Sequence, residues 1–175
     1  MISLKRLLIE SEATSDSIAW AKKFQTDLGL TAVAAAAMAG NIQHESGFIP
    51  DRIQKRGELK TGTLSDAGTG GYSWAQWTHK TRQKAFRDFV LTNFDVDINK
   101  TRATNKHAYA FLKHEIKNYP YFDFNKFKKY TNITKATQYF VDNYEQSGPP
   151  NPARFTIAKE ILKYLSPSET SKSKQ

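Results

Sequence analysis

Two carboxylates in this chain stand where acid–base chemistry could be built. Glu45 lies in MAGNIQHESGF, residues 38–48, at the end of an alanine-rich run. Steps of three and four along the helix that run should form lead from Val33 to Ala37 or Met38, to Asn41 or Ile42, and then to Glu45. The carboxyl therefore follows apolar residues onto the inward face. Partial burial disfavours its charged form, and the negative dipole end of a last helical turn disfavours it again. A carboxyl kept protonated near neutral pH suits a general acid. The competing reading makes Glu45 a surface residue or a partner for Arg52 or Lys55.

Asp66 is the second candidate. It is the second residue of SDAGTGGYSWAQWTHKTR, residues 65–82, and precedes by two residues a glycine run that lets backbone pack close to whatever lies above it. In a wetter loop it would stay ionised, so the two carboxyls would be driven to opposite protonation states. Tyr72, Trp74, Gln76 and Trp77 follow, mixing flat apolar faces with amide and indole donors, the make-up of a sugar-binding surface. Trp74 and Trp77 serve equally as core or wall residues, and Asp66 equally as a turn residue.

The elements that must position these groups are mainly helical. Ser15 or Asp16 can cap a helix through Ile18, Ala21, Phe24 and Leu28, stopped by Gly29. Thr31 caps the alanine-rich helix, which runs to Ser46 with Gly47 at the C′ position. Residues 49–71 hold five of the nine glycines and form a loop or small hairpin sheet. Helical period returns with Phe86, Phe89, Val90 and Phe94, then with Ala108, Phe111, Leu112 and Ile116. Thr134 can cap a helix carrying Ala136, Phe140 and Tyr144, and Asn151 with Pro152 opens the last, with Ala158, Ile161, Leu162 and Leu165 inward. The predicted fold class is mainly α (α+β), a helical domain with a small irregular or β lobe inserted after the helix that carries Glu45.

The 175 residues fit one domain, 1–165, with a Ser- and Lys-rich tail at 166–175 expected to be disordered. There is no cysteine, which removes disulfides and thiolate metal sites and fits a reducing compartment. The first 16 residues lack the h-region and cleavage site of a signal peptide, and the longest nearly apolar run, residues 30–40, falls short of the roughly 20 that span a bilayer. A soluble protein without membrane insertion is expected. The histidines at 44, 79, 107 and 114 show no metal spacing, so no metal and no cofactor are assigned. The net charge of +9 is concentrated: residues 79–135 alone carry 13 basic and 5 acidic side chains. Such a block attracts a polyanion, whether nucleic acid, an anionic membrane face or a bacterial wall.

Three spaced blocks resemble a known family. G-N-I-x-x-E-S-G-F at 40–48, G-Y-x-x-A-Q-W-T at 71–78, and F-x-x-x-Y-E at 140–145 followed by Gly148 and Pro149 are similar to the phage tail lysozyme family of the lysozyme superfamily. The chain departs from it at Ser73, where glycine is usual, and at Trp74, where leucine is usual. The resemblance implies a lysozyme-like fold and a muramidase that cleaves the β-1,4 bond between N-acetylmuramic acid and N-acetylglucosamine of peptidoglycan. It makes Glu45 the catalytic acid. By likeness to goose-type lysozymes, Asp66, five residues before Gly71, serves as the second catalytic carboxylate. It also puts Tyr144 in the cleft, although its spacing from Phe140 reads as core.

Carboxyls standing roughly 6.5–9.5 Å apart would imply inversion, and about 5–5.5 Å retention. Lytic transglycosylation, which needs one glutamate only, stays open, as do a nucleic-acid-binding protein and a non-catalytic virion component. The implied partner is the bacterial wall, with no specific nucleic acid. A monomer is expected, made in the host cytoplasm and acting on peptidoglycan after release through a holin pore, or else carried on the virion.

Overall fold

The computed structural model describes residues 12–55, 58–146, 148 and 151–165. The expected disordered tail at 166–175, the N-terminal residues 1–11 and Pro149 lie outside the described residues. In chain order the elements are α1 (Ser15–Leu28), α2 (Ala32–Ser46), β1 (Arg52–Lys55), β2 (Glu58–Thr61), α3 (Leu64–Ala67), β3 (Gly71–Tyr72), α4 (Lys80–Phe94), α5 (Asn105–Asn118), α6 (Phe124–Phe127), α7 (Ile133–Phe140), a π turn (Val141–Glu145) and α8 (Pro152–Leu165). The mainly helical α+β class expected from the periodicities is the one observed, with its small sheet directly after α2. The described residues form two compact units, one from residues 12–41, 125–142, 148 and 151–165, the other from residues 42–55, 58–124 and 143–146. No linker separates them at their first boundary, because the chain passes from one to the other within α2.

The first unit is helical. Its core is formed by Ala21, Phe24 and Leu28 of α1, Ala34–Ala39 of α2, Phe127, Phe140 of α7, and Ile157, Ala158 and Ile161 of α8. The cap of α1 is Thr14 rather than Ser15 or Asp16: its Oγ1 accepts from Ser17 N at 3.2 Å while Ser17 Oγ accepts from Thr14 N at 3.0 Å. Likewise Asn132, not Thr134, caps α7, accepting from Lys135 N at 3.0 Å. In both places several capping residues stand side by side in sequence, and the one with extended backbone at the helix start prevails. Thr31 does cap α2, accepting from Ala34 N at 3.1 Å, and its hydroxyl donates to Tyr130 O at 2.7 Å.

α2 is buried over ten consecutive residues, 34–43, instead of along one stripe. A helix apolar on every side must be approached closely by its neighbours, which small side chains permit. The tightest approach is at Gly40, where an added Cβ would lie 2.8 Å from Ala158 N and 2.9 Å from its Cα. Next to it Asn41 is fully buried; its Nδ2 donates to Ala37 O at 2.8 Å and its Oδ1 accepts from Arg154 Nη1 at 2.9 Å. The Gly-Asn pair thus fixes α2 against α8 by shape and by hydrogen bond.

The second unit holds an antiparallel sheet of order β2-β1-β3, in which Ile53 pairs with Lys60 on one side and Tyr72 on the other. Its core is aromatic: Trp77 lies 4.8 Å from Phe86 and 4.9 Å from Phe111, and those two phenyl rings stack at 5.0 Å.

Replacing Gly40 by Ala should destabilise the protein although alanine is the better helix former. Overpacking against the rigid Ala158 backbone costs about 1–3 kcal/mol, against a gain in helix propensity of at most about 1 kcal/mol. A thermal melt should show a lowered Tm; an unchanged or raised Tm would contradict the close contact.

Candidate active site

Glu45 occupies the last turn of α2 and is half-buried. The helix stops directly after it because two consecutive residues turn left-handed, Gly47 at φ 62° and Phe48 at φ 60°. Glycine takes that conformation freely, whereas phenylalanine needs its surroundings to enforce it. Phe48 is 3% exposed, its ring meets Trp74 edge-on at 5.1 Å, and its carbonyl accepts from Trp74 Nε1 at 3.0 Å. The same indole N–H also lies 3.2 Å from Asn105 Oδ1. Trp74 therefore clamps the turn that presents Glu45.

Asp66 is exposed on α3. Its Oδ2 accepts from both Thr63 N and Thr63 Oγ1 at 2.8 Å, while Thr63 Oγ1 accepts from Asp66 N at 3.4 Å, a reciprocal capping box. The Thr63 amide, then its hydroxyl, hold the Asp66 carboxyl below the ordinary carboxylate range, so it is ionised at neutral pH. It caps a helix, and it presents a fixed negative charge.

The residues expected to bind sugar are placed differently from that expectation. Tyr72, Trp77 and Tyr144 are all fully buried and Gln76 is 5% exposed, so none offers a ring face or a large polar surface to a ligand. Their polar atoms are turned inward. Tyr72 Oη donates to Gly62 O and accepts from Ala103 N, both at 3.2 Å, and burial pushes its phenol up to about 12. Gln76 Nε2 donates to Ser73 O at 2.8 Å and Arg52 O at 3.3 Å. Ser73 and Gln76 both have positive φ, 68° and 45°, and an added Cβ on Gly71 would lie 2.7 Å from Gln76 Oε1. These residues build the floor that supports the glycine-rich loop. Their aromatic and amide make-up served interior packing and loop closure, which composition alone does not distinguish from saccharide contact.

The strongest electrostatic feature of the unit centres on Glu115, which periodicity on α5 marks just as it marks Glu45: a carboxyl between Leu112 and Ile116 on an apolar stripe. Arg82 Nε donates to Glu115 Oε1 at 2.8 Å and Arg82 Nη2 to Oε2 at 2.9 Å, a bidentate pair with side chains 14% and 9% exposed. Trp77 Nε1 donates to Oε2 at 2.8 Å and Tyr144 Oη at 2.5 Å. Arg82 also donates to Tyr144 O at 3.1 Å and lies over the rings of Tyr119 and Tyr144 at 4.7 and 4.8 Å. Burial pulls the guanidinium toward neutrality, and its hydrogen bond to Glu115 more than reverses that, leaving Arg82 above its ordinary value and charged. Burial, then the Glu115 charge, push the Tyr144 phenol well above its ordinary range, so it remains a donor. Trp77 and Tyr144 thus hold the loop after β3 and the π turn to one carboxylate.

The model of phage tail lysozymes matches residues 18–165, most of the chain, from within α1 to the end of α8. The chain belongs to the phage tail lysozyme family. Membership gives the chain a lysozyme-like function directed at peptidoglycan. No curated protein matches the chain. Among the described residues no group of three or more His, Asp or Glu side chains could hold a metal ion, and no helix is long and apolar enough to cross a membrane.

Removing Glu115 should be more damaging than neutralising it. Glu115→Ala leaves Arg82 buried without its carboxylate, which typically costs about 3–5 kcal/mol; Glu115→Gln keeps an acceptor and the shape and should cost less. Urea unfolding should rank the midpoints wild type, Gln, Ala. Equal midpoints for wild type and Glu115→Ala would mean that this pair does not hold the loop.

Proposed function

We propose that this protein is a muramidase, hydrolysing the β-1,4 bond between N-acetylmuramic acid and N-acetylglucosamine with Glu45 as general acid. The observation that carries the reading is the half-buried Glu45 at the end of α2, on a left-handed turn clamped by Trp74. A catalytic carboxyl must be held still to protonate the leaving oxygen, and strain kept in place by surrounding contacts is characteristic of such positions. In this reading Asp66, ionised beside Thr63, orients a water on the opposite face of the sugar. Its depressed basicity makes it a polariser of water more than a strong proton acceptor.

Lytic transglycosylation is the second reading, favoured by one observation: Asp66 Oδ2 is already engaged by two hydrogen bonds from Thr63. Glu45 would then act alone as acid and base, with the muramoyl 6-hydroxyl as nucleophile. The place of action under either reading is the bacterial wall, reached by release from the host cytoplasm or on the virion.

Clearing of bacterial wall suspensions separates these readings. Glu45→Gln should lower the rate by about 10²–10⁴-fold, the usual worth of a general acid; full activity in that variant would end both. Asp66→Asn retains a carbonyl oxygen for the Thr63 cap while removing the charge. A drop of tenfold or more at unchanged Tm supports two-carboxylate hydrolysis, and wild-type clearing reduces Asp66 to its capping role.

A further inference from the structure

Three of the thirteen basic side chains of residues 79–135 share one surface feature. α4 and α5 leave an open groove of about 650 Å³ between them, floored by Phe89, Phe94 and Tyr109 and edged by Lys106, Lys113 and Lys117. No acidic side chain lines it. The acids of these two helices are engaged elsewhere: Asp88 by Lys84 and Arg87, and Glu115 by Arg82. The three lysines make no ion pair among the described residues. At positions i, i+7 and i+11 of one helix they fall along a line roughly 16 Å long, given a rise of about 1.5 Å per residue.

The rings present charge more than they present stacking faces. Lys106 Nζ lies over Phe94 at 5.0 Å, Lys113 Nζ over Tyr109 at 5.7 Å, and the His114 ring lies 5.0 Å from Phe89. Cation–π contact orders two of the ammonium groups and, by covering the rings, leaves flat bases little to stack on. A row of ordered point charges in an apolar trough suits a linear chain with regularly spaced anions and an aliphatic or polyol backbone. On its inner side, Tyr109 of the groove lies 6.3 Å from Trp74, whose indole bonds the Phe48 carbonyl.

We propose that the α4–α5 groove is a second binding site, distinct from the Glu45 site, for a phosphodiester-linked polyol polymer of the bacterial surface. It holds the enzyme on the wall near its substrate by charge, and it rests on the reading of the protein as acting on cell walls.

The test measures binding of the full chain to a soluble glycerol phosphate polymer by calorimetry at two salt concentrations. A single-stranded DNA oligonucleotide of equal charge runs in parallel. The variant is Lys106→Gln/Lys113→Gln/Lys117→Gln, and its control is Lys22→Gln/Lys129→Gln/Lys135→Gln, three exposed lysines elsewhere; both should melt as wild type. The expected result is salt-sensitive binding of the polymer, weakened at least tenfold in the groove variant and less than threefold in the control. Equal weakening in both variants, no binding of the polymer by wild type, or loss in the groove variant confined to DNA would each overturn the proposal. The readout needs no turnover. Polymer binding without wall clearing would sink the muramidase reading and leave the groove standing; clearing without polymer binding would do the reverse.

Discussion

The second unit depends on one buried carboxylate. Glu115 accepts four hydrogen bonds from three side chains: two from Arg82 on α4, one from Trp77 after β3, and one from Tyr144 in the π turn. A lone carboxylate at that depth would be costly, and its value as a fastener comes from having every partner in place. Arg82 supplies the opposite charge, while Trp77 and Tyr144 supply neutral donors whose rings pack into the same aromatic core. Electrostatics and packing therefore specify one arrangement of the loop, the π turn and α5.

Upon that frame sits a locally strained turn. The left-handed Phe48 would not hold its conformation alone, and the Trp74 indole bonding its carbonyl is what makes it persist. Trp74 is in turn carried on the four-residue connection between Tyr72 and Trp77, which pair across it at 3.3 and 3.0 Å. Glu115 holds Trp77 at one end of that connection, and Trp74 within it bonds the turn that ends α2.

Much of this was legible from residue order. The stop of α2 after Ser46 follows from a glycine able to turn left-handed, and the spans of α4 and α5 follow from a 3.6-residue apolar period. The direction of the polar groups was not legible. An indole with amides nearby could face a sugar, yet the acceptor for Trp77 stands 38 residues away in sequence on another helix. Asp66 shows the same ambiguity, because an aspartate three residues after a threonine caps a short helix as readily as it activates water. Glu115 was within reach of periodicity, since it interrupts an apolar stripe in the manner of Glu45. Pairing it with Arg82 required the fold.

In the proposed reaction a carboxyl at the end of α2 protonates a glycosidic oxygen and water completes the hydrolysis. Mass spectrometry of the muropeptides released from purified peptidoglycan tests this most directly. The account predicts disaccharide peptides ending in reducing N-acetylmuramic acid, and none above background from Glu45→Gln. Products ending in 1,6-anhydro-N-acetylmuramic acid would contradict the role of water, and unchanged release by Glu45→Gln would contradict the role of Glu45.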